Sequence, residues 1–312
     1  VKVTILDGYV DEPTCLGVPP YISTYVRYVA GALVAAGISK ETIDYTTIDE
    51  YRKSNEKMLE VAESDIIILI SGLTVPGRYL GGTPITAKEI EEIGKLPCYK
   101  AIGGPIKFGF AMRGGTYAKK LNLENYDLIS EGDIEAAAYV IGKSLKGKGE
   151  LPEGTFKGLR RAKDIDIISP LGAFIVKKHP YYPNVICEIE TYRGCERRNR
   201  CSYCTEIFYG SPDFRTIDGI VNEVKALYLE GVKHFRIGRQ PNILGYLSEP
   251  TTGEFSKPNV EAIKKLFKSL RDVGNIKTLH IDNINAGTIA AFPIESELAL
   301  TEIARYDTEG DV

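Results

Sequence analysis

The chain has 312 residues, 39 Lys+Arg against 42 Asp+Glu, a formal charge of −3, 43% hydrophobic and 26% charged residues. These values are those of an ordinary globular chain of about two domains, and they exclude disordered, collagen-like and coiled-coil readings. The slightly acidic balance argues against a general nucleic-acid surface or a large RNA partner while leaving room for a local basic patch. The longest plain apolar run, Ile66 to Ile70, falls far short of the roughly 20 residues that span a bilayer, and no leader pattern opens the chain, so a cytoplasmic protein is expected.

Residues 1–148 alternate strand-like and helix-like segments. Val3–Leu6 predicts a strand, and Pro19-Pro20 precedes a helical stretch from Tyr21 to Ala36 that stops at Gly37. Thr42–Ile48 predicts a strand, Asn55–Ala62 a helix, and the β-branched run Ile66–Ile70 a strand buried on both faces. A helix over Ala87–Gly94, strands over Tyr99–Ile102 and Tyr126–Ile129, and a helix over Ile134–Leu145 complete the first domain. Such β/α alternation predicts a doubly wound, Rossmann-type parallel sheet, with ligands at the carboxyl ends of the strands. Those ends are Asp7-Gly8-Tyr9, Ser71-Gly72-Leu73, Gly103-Gly104 and Glu131-Gly132. The glycine-rich stretch from Pro76 to Thr83 is a further candidate ligand loop, and no Gly-x-Gly-x-x-Gly follows a strand.

Residues 149–184 are polar and rich in glycine and proline, and read as a linker ending in the extended His179-Pro-Tyr-Tyr-Pro. The second domain, 185–312, opens with a strand over Val185–Thr191. A helix follows with Ile217, Ile220, Val221, Val224, Leu227 and Tyr228 on one face, then a strand at His234–Ile237. Ser256 and Pro258 predict the start of another helix, Lys277–Ile281 a third strand and Glu295–Tyr306 a third helix. Three βα units do not close a barrel, so the chain is expected to stop within one, at Gly310-Asp311-Val312.

Cys195-Glu-Arg-Arg-Asn-Arg-Cys201-Ser-Tyr-Cys204 follows the first strand of this domain directly. Three thiolates within ten residues suit an iron–sulfur cluster or zinc, and three local ligands leave one metal position open, as catalysis requires. A zinc site completed by Cys187 or His179 is the structural alternative; Cys15, Cys98 and Cys187 otherwise read as small buried residues.

At these residues the sequence resembles a radical S-adenosylmethionine (SAM) enzyme with an N-terminal cobalamin-binding-like domain. The family's usual spacing is Cys-x3-Cys-x2-Cys with an aromatic before the last cysteine. Here the aromatic is Tyr203 and the first gap has five residues. Tyr192-Arg193-Gly194-Cys195 and the His-Pro-Tyr-Tyr-Pro segment resemble the entry found in the cobalamin-type subgroup. The fold implied is a doubly wound parallel sheet followed by an incomplete (β/α) radical SAM barrel of the TIM type. The resemblance implies a [4Fe-4S] cluster on Cys195, Cys201 and Cys204 and reductive cleavage of SAM to a 5′-deoxyadenosyl radical that abstracts hydrogen from a substrate. It also implies a one-electron reductant such as ferredoxin or flavodoxin. Tyr203, Gly238, Arg239 and Gln240 stand where SAM contacts fall, although the common Gly-Gly-Glu is replaced by Gly-Arg-Gln. Asp282, Asn283 and Asn285, after the third strand, are candidate substrate contacts. Arg197, Arg198 and Arg200 would raise the cluster potential, meet an anionic substrate or reductase, or simply be solvated.

Tyr9, Ser71, Leu73, Gly103 and Gly104 match positions of a cobalamin site, with Tyr9 in the region of the family's ligating histidine. Cobalamin is therefore an expected cofactor in one reading, a methyltransferase acting on an unactivated carbon. In a second, the domain is empty and serves substrate or partner binding. In a third, the chain is a non-catalytic iron–sulfur or zinc protein. A methylthiotransferase would need three N-terminal cysteines, and only Cys15 and Cys98 are present. His179, His234 and His280 support no hydrolytic triad.

Overall fold

The computed structural model describes the chain except residues 13, 19, 74–80, 112–116 and 309–312, together with the side chain of Leu16. Most of the Pro76–Thr83 loop lies outside the described residues. Unit 1 comprises Val1–Glu12, Leu16–Arg160 and Leu171–Val185; unit 2 comprises Pro13–Cys15, Arg161–Pro170 and Ile186–Val312.

In unit 1 the strands are β1 (Val3–Asp7), β2 (Ile43–Thr47), β3 (Ile66–Ile70), β4 (Tyr99–Gly103), β5 (Leu128–Ser130) and β6 (Gly154–Phe156). They form a parallel sheet in the order β2-β1-β3-β4-β5-β6. The order reverses at β1, so the topological crevice opens between the carboxyl ends of β1 and β3. Helices α2 (Ile48–Lys53), α3 (Asn55–Ala62) and α4 (Ala87–Gly94) bury Ile48, Val61, Ile90 and Ile93 in one cluster with Leu6, Ile67, Leu69 and Ile102. The alternate strand residues Val3, Ile5, Ile66, Ile68 and Ala101 are equally buried and point to the opposite face. Helices α1 (Thr24–Ala35) and α5 (Ile134–Gly147) pack on each other where Gly142 lets Ala36 approach. Thr47 and Thr86 close reciprocal capping boxes with Glu50 and Glu89, which fixes the starts of α2 and α4.

Three local expectations are corrected. The helix expected from Tyr21 begins at Thr24, because Ser23 is extended (φ −67°, ψ 159°) and Tyr21–Ile22 is a short strand. The presumed linker 149–184 carries β6, α6 (Ala162–Leu171) and a 3-10 helix over Ala173–Lys178; α6 buries Ala162, Ile165 and Ile168, an apolar stripe masked by the polar, glycine-rich residues before it. The helix expected over Glu295–Tyr306 is α10 (Pro293–Ala304), which starts two residues earlier at Pro293, and a short helix that was not expected, α9 (Ala286–Ala291), precedes it.

Unit 2 is built on parallel strands β7 (Ile186–Glu190), β8 (His234–Arg239) and β9 (Thr278–Ile281), with β8 between the other two. Helix α7 (Ile217–Leu229) follows β7, and α8 (Val260–Arg271) follows β8. Thr216 caps α7; Asn259, rather than Ser256, caps α8 through the Ala262 N–H. Both units are thus α/β with parallel sheets. Among the described residues no helix is long and apolar enough to cross a membrane.

Candidate functional site

The cysteine loop leaves the carboxyl end of β7 through a short ribbon, Tyr192–Arg193, paired antiparallel with Asp213–Phe214. Gly194 takes φ +89°, and a Cβ there would stand 2.5 Å from the Ser211 carbonyl oxygen, so the Arg-Gly-Cys entry needs glycine. Both ends of the loop meet at one buried carboxylate. Glu206 accepts the Gly194 N–H at 2.7 Å on one oxygen, and the Arg239 guanidinium at 2.7 Å and the Thr14 hydroxyl at 2.8 Å on the other. Glu206 is fully buried and Arg239 is 2% exposed, so the pair closes the loop onto the end of β8. Tyr209 lies beneath both Arg193 and Arg239.

The three thiols bear on one another electrostatically. Burial first, then the neighbouring Glu206, Cys195 and Cys201, push the Cys204 thiol up to about 11, against a lowering hydrogen bond from the Glu206 backbone N–H. Burial likewise raises Cys195, against the Arg197 backbone N–H. The Arg197 guanidinium donates to the Cys201 sulfur at 3.2 Å. Tyr203 is 80% exposed, and its hydroxyl bonds the Cys201 sulfur, which raises the phenol. Each sulfur therefore has a directed N–H donor, and burial favours the neutral thiol at Cys195 and Cys204. Among the described residues no three His, Cys, Asp or Glu side chains stand grouped as a ready-made metal site.

The other sequence-predicted residues of unit 2 are engaged in the fold. Gln240 is fully buried: its amide donates to the carbonyls of Ile237 and Asp282, and its oxygen accepts from Thr191. Asn283, at φ +60°, donates to the carbonyls of Gly238 and Gln240, and Asn285 caps α9. Gly238 has no room for a Cβ, which would stand 2.9 Å from Glu188. Asp282 pairs with Arg236, which also pairs with the buried Glu188. Glu188, Arg236 and His280 are in register across β7, β8 and β9. This charged row lies on a parallel sheet, whose faces are normally apolar. The polar–apolar alternation in Cys187-Glu-Ile-Glu190 and in His234-Phe-Arg-Ile237 is the sequence signal that could have revealed Glu188 and Arg236.

Cys187 is buried in the core of β7. His179 stacks on Tyr45 of unit 1, and burial pushes it down to about 4.

In unit 1, Tyr9 takes φ +59°, is 2% exposed, and donates to Asp49. Asp7, fully buried beside it, accepts from the Tyr9 N–H and the Tyr45 hydroxyl, and burial pushes it up to about 7. Leu73 is half-buried at the end of the segment following β3. Among the described residues, the Ser71 and Ser130 hydroxyls, at the ends of β3 and β5, are buried with no hydrogen-bond partner. Gly103 and Gly104 lie between them, and their missing side chains are accounted for by the protein itself: a Cβ would meet Ile134 and Ser130 at Gly103, and the Ser71 carbonyl at Gly104.

No family model matches the chain. It is 43% identical over 319 aligned residues to an uncharacterized protein of Methanocaldococcus jannaschii, and 38% identical over 317 to one of Archaeoglobus fulgidus. All of this chain is covered in both, but only 57% and 54% of those proteins, so it spans little more than half their length. Among solved structures it is similar to the radical SAM methyltransferase TsrM of Kitasatospora setae with tryptophan substrate and a SAM analog bound, at TM-score 0.52 and 14% identity. That match covers 97% of this chain and 65% of TsrM. It is also similar to the cobalamin-dependent radical SAM enzyme OxsB with aqua-cobalamin and SAM bound, at TM-score 0.52 and 14% identity, covering 98% of this chain and 42% of OxsB. The fold therefore resembles that of cobalamin-dependent radical SAM enzymes.

Proposed function

We propose that the chain is the cofactor-binding part of a radical SAM enzyme, with a [4Fe-4S] cluster on Cys195, Cys201 and Cys204. The observation that carries this is the loop itself: three mutually interacting thiols at the carboxyl end of the first strand, each sulfur with its own N–H donor. That donor set fits a thiolate-bound cluster, whose charge would supply what the crowded thiols lack. When bound, such a cluster supplies one electron to cleave SAM at its open iron. The chain's own part is to hold the loop shut through Glu206 and Arg239 and to keep the strand ends joined through Gln240 and Asn283. Arg239 and Gln240 act here as positioning residues, not as SAM contacts through their side chains. The charged row of Glu188, Arg236 and His280, with Asp282 at its end, would face SAM or substrate. The test is formation of 5′-deoxyadenosine from SAM under anaerobic reduction. The wild-type chain should form it and a Cys195→Ala, Cys201→Ala, Cys204→Ala variant should not; equal formation by both would refute the assignment.

A second reading adds cobalamin on unit 1. The orphaned hydroxyls of Ser71 and Ser130 support it, because buried polar groups are otherwise paired. Tyr9, Gly103 and Gly104 do not add to it, since packing explains them. TsrM, which this chain resembles in fold, is a methyltransferase, and methyl transfer is the reaction class of this reading. Stoichiometric uptake of hydroxocobalamin by the wild-type chain, weakened in Ser71→Ala, would bear this out; no uptake at saturation leaves unit 1 as a substrate or partner module.

A further inference from the structure

The three arginines of the cysteine loop are not equivalent. Arg198 and Arg200 are exposed, and Arg200 donates to the Ile207 carbonyl. Arg197 is fixed. One edge of its guanidinium donates to the Cys201 sulfur at 3.2 Å and another to Glu254 at 3.2 Å, while its face lies 5.2 Å over the Phe255 ring. Glu254 also accepts from the Asn199 backbone N–H and side-chain amide, so two residues of the five-residue gap, Arg197 and Asn199, are pinned to one carboxylate. Arg197 contributes at its backbone too, through the N–H directed at the Cys195 sulfur. A planar guanidinium serves a carboxylate, a sulfur and a ring at once, which an ammonium cannot.

We infer that Arg197, oriented by Glu254 and Phe255, is a positioning residue that sets the reduction potential of the metal centre held by Cys201. The inference rests on the cluster assignment made above. A cation donating to a ligand sulfur stabilises the more negative, reduced state and so raises the potential. The long gap between the first two cysteines is then the segment that carries this charge, not merely added length.

The test is an EPR-monitored potentiometric titration of the anaerobically reconstituted chain, with iron content measured in parallel. Arg197→Gln, with iron content retained, should lower the reduced-to-oxidised ratio at a fixed potential about tenfold, a shift of about 59 mV for one electron. Arg197→Lys, which keeps the charge but cannot make all three contacts, should fall between it and the wild type and provides the reading if the Gln variant assembles poorly. Arg198→Gln and Arg200→Gln should stay near the wild-type potential. A potential unchanged in both Arg197 variants, or equal shifts from all three arginines, overturns the inference. A wild-type chain that takes up no iron instead removes the cluster assignment, and the inference with it.

Discussion

Two buried groups of unit 1 oppose each other in their response to pH. Asp7 is pushed up from 3.8 to about 7, first by burial, so the folded state holds its proton where the unfolded state has lost it. Stability from this group is fully present below pH 3.8 and is lost as pH rises toward 7. His179 is pushed down from 6.5 to about 4 by burial, so its folded state is neutral where the unfolded state is charged. Stability from His179 is present above pH 6.5 and is lost as pH falls toward 4. One proton corresponds to about 1.4 kcal/mol per pH unit, so between pH 4 and 6.5 the two slopes cancel. Replacing Asp7 by Asn, which can still accept the Tyr9 N–H, should leave the His179 slope unopposed. Relative to the wild type, the variant should gain about 3 kcal/mol between pH 4 and 6.5. His179→Gln should show the mirror-image fall. The assay is urea unfolding at a series of pH values, read by hydrogen exchange in peptides covering β1 and β3. Stability profiles of Asp7→Asn and wild type that run parallel from pH 4 to 7 would refute the reasoning.

Further outcomes follow from the two sites. Arg239→Met strands the Glu206 carboxylate in the interior and should destabilise unit 2 by about 3–5 kcal/mol in thermal or chemical unfolding. Joining it to Glu206→Gln should recover much of that loss, whereas simple addition of the two effects would show that the pair is not coupled. Ser71→Ala and Ser130→Ala each remove a buried hydroxyl that has no partner, and should be neutral or stabilising by about 1 kcal/mol without ligand. A clear loss of stability in both would mean that these hydroxyls are satisfied after all.

Much of the architecture was legible because β/α alternation depends on strong local signals. The apolar run Ile66–Ile70 and the glycine after α7 both lie where the pattern placed them. What was not legible depends on tertiary context. Nothing local shows that Arg239 would be spent on Glu206, 33 residues earlier in the chain, rather than facing a ligand. Gln240 and Asn283 look like contacts because polar residues at strand ends commonly are; here their amides bond the backbone carbonyls of Ile237, Asp282, Gly238 and Gln240. The arginine cluster reads as one basic stretch, yet Glu254 and Phe255, brought in from beyond β8, single out Arg197. The glycines Gly103 and Gly104 carry a ligand motif in the sequence, but their requirement is met by Ile134, Ser130 and the Ser71 backbone.

The cysteine loop is the point on which the functional account stands. The most direct measurement is iron and zinc content together with EPR of the anaerobically reconstituted, dithionite-reduced chain, with and without SAM, alongside Cys201→Ala. The account predicts a reduced [4Fe-4S] signal in the wild type that shifts when SAM is added and is lost in Cys201→Ala. Retained zinc with no iron–sulfur signal, or a signal unchanged by the loss of Cys201, would contradict it.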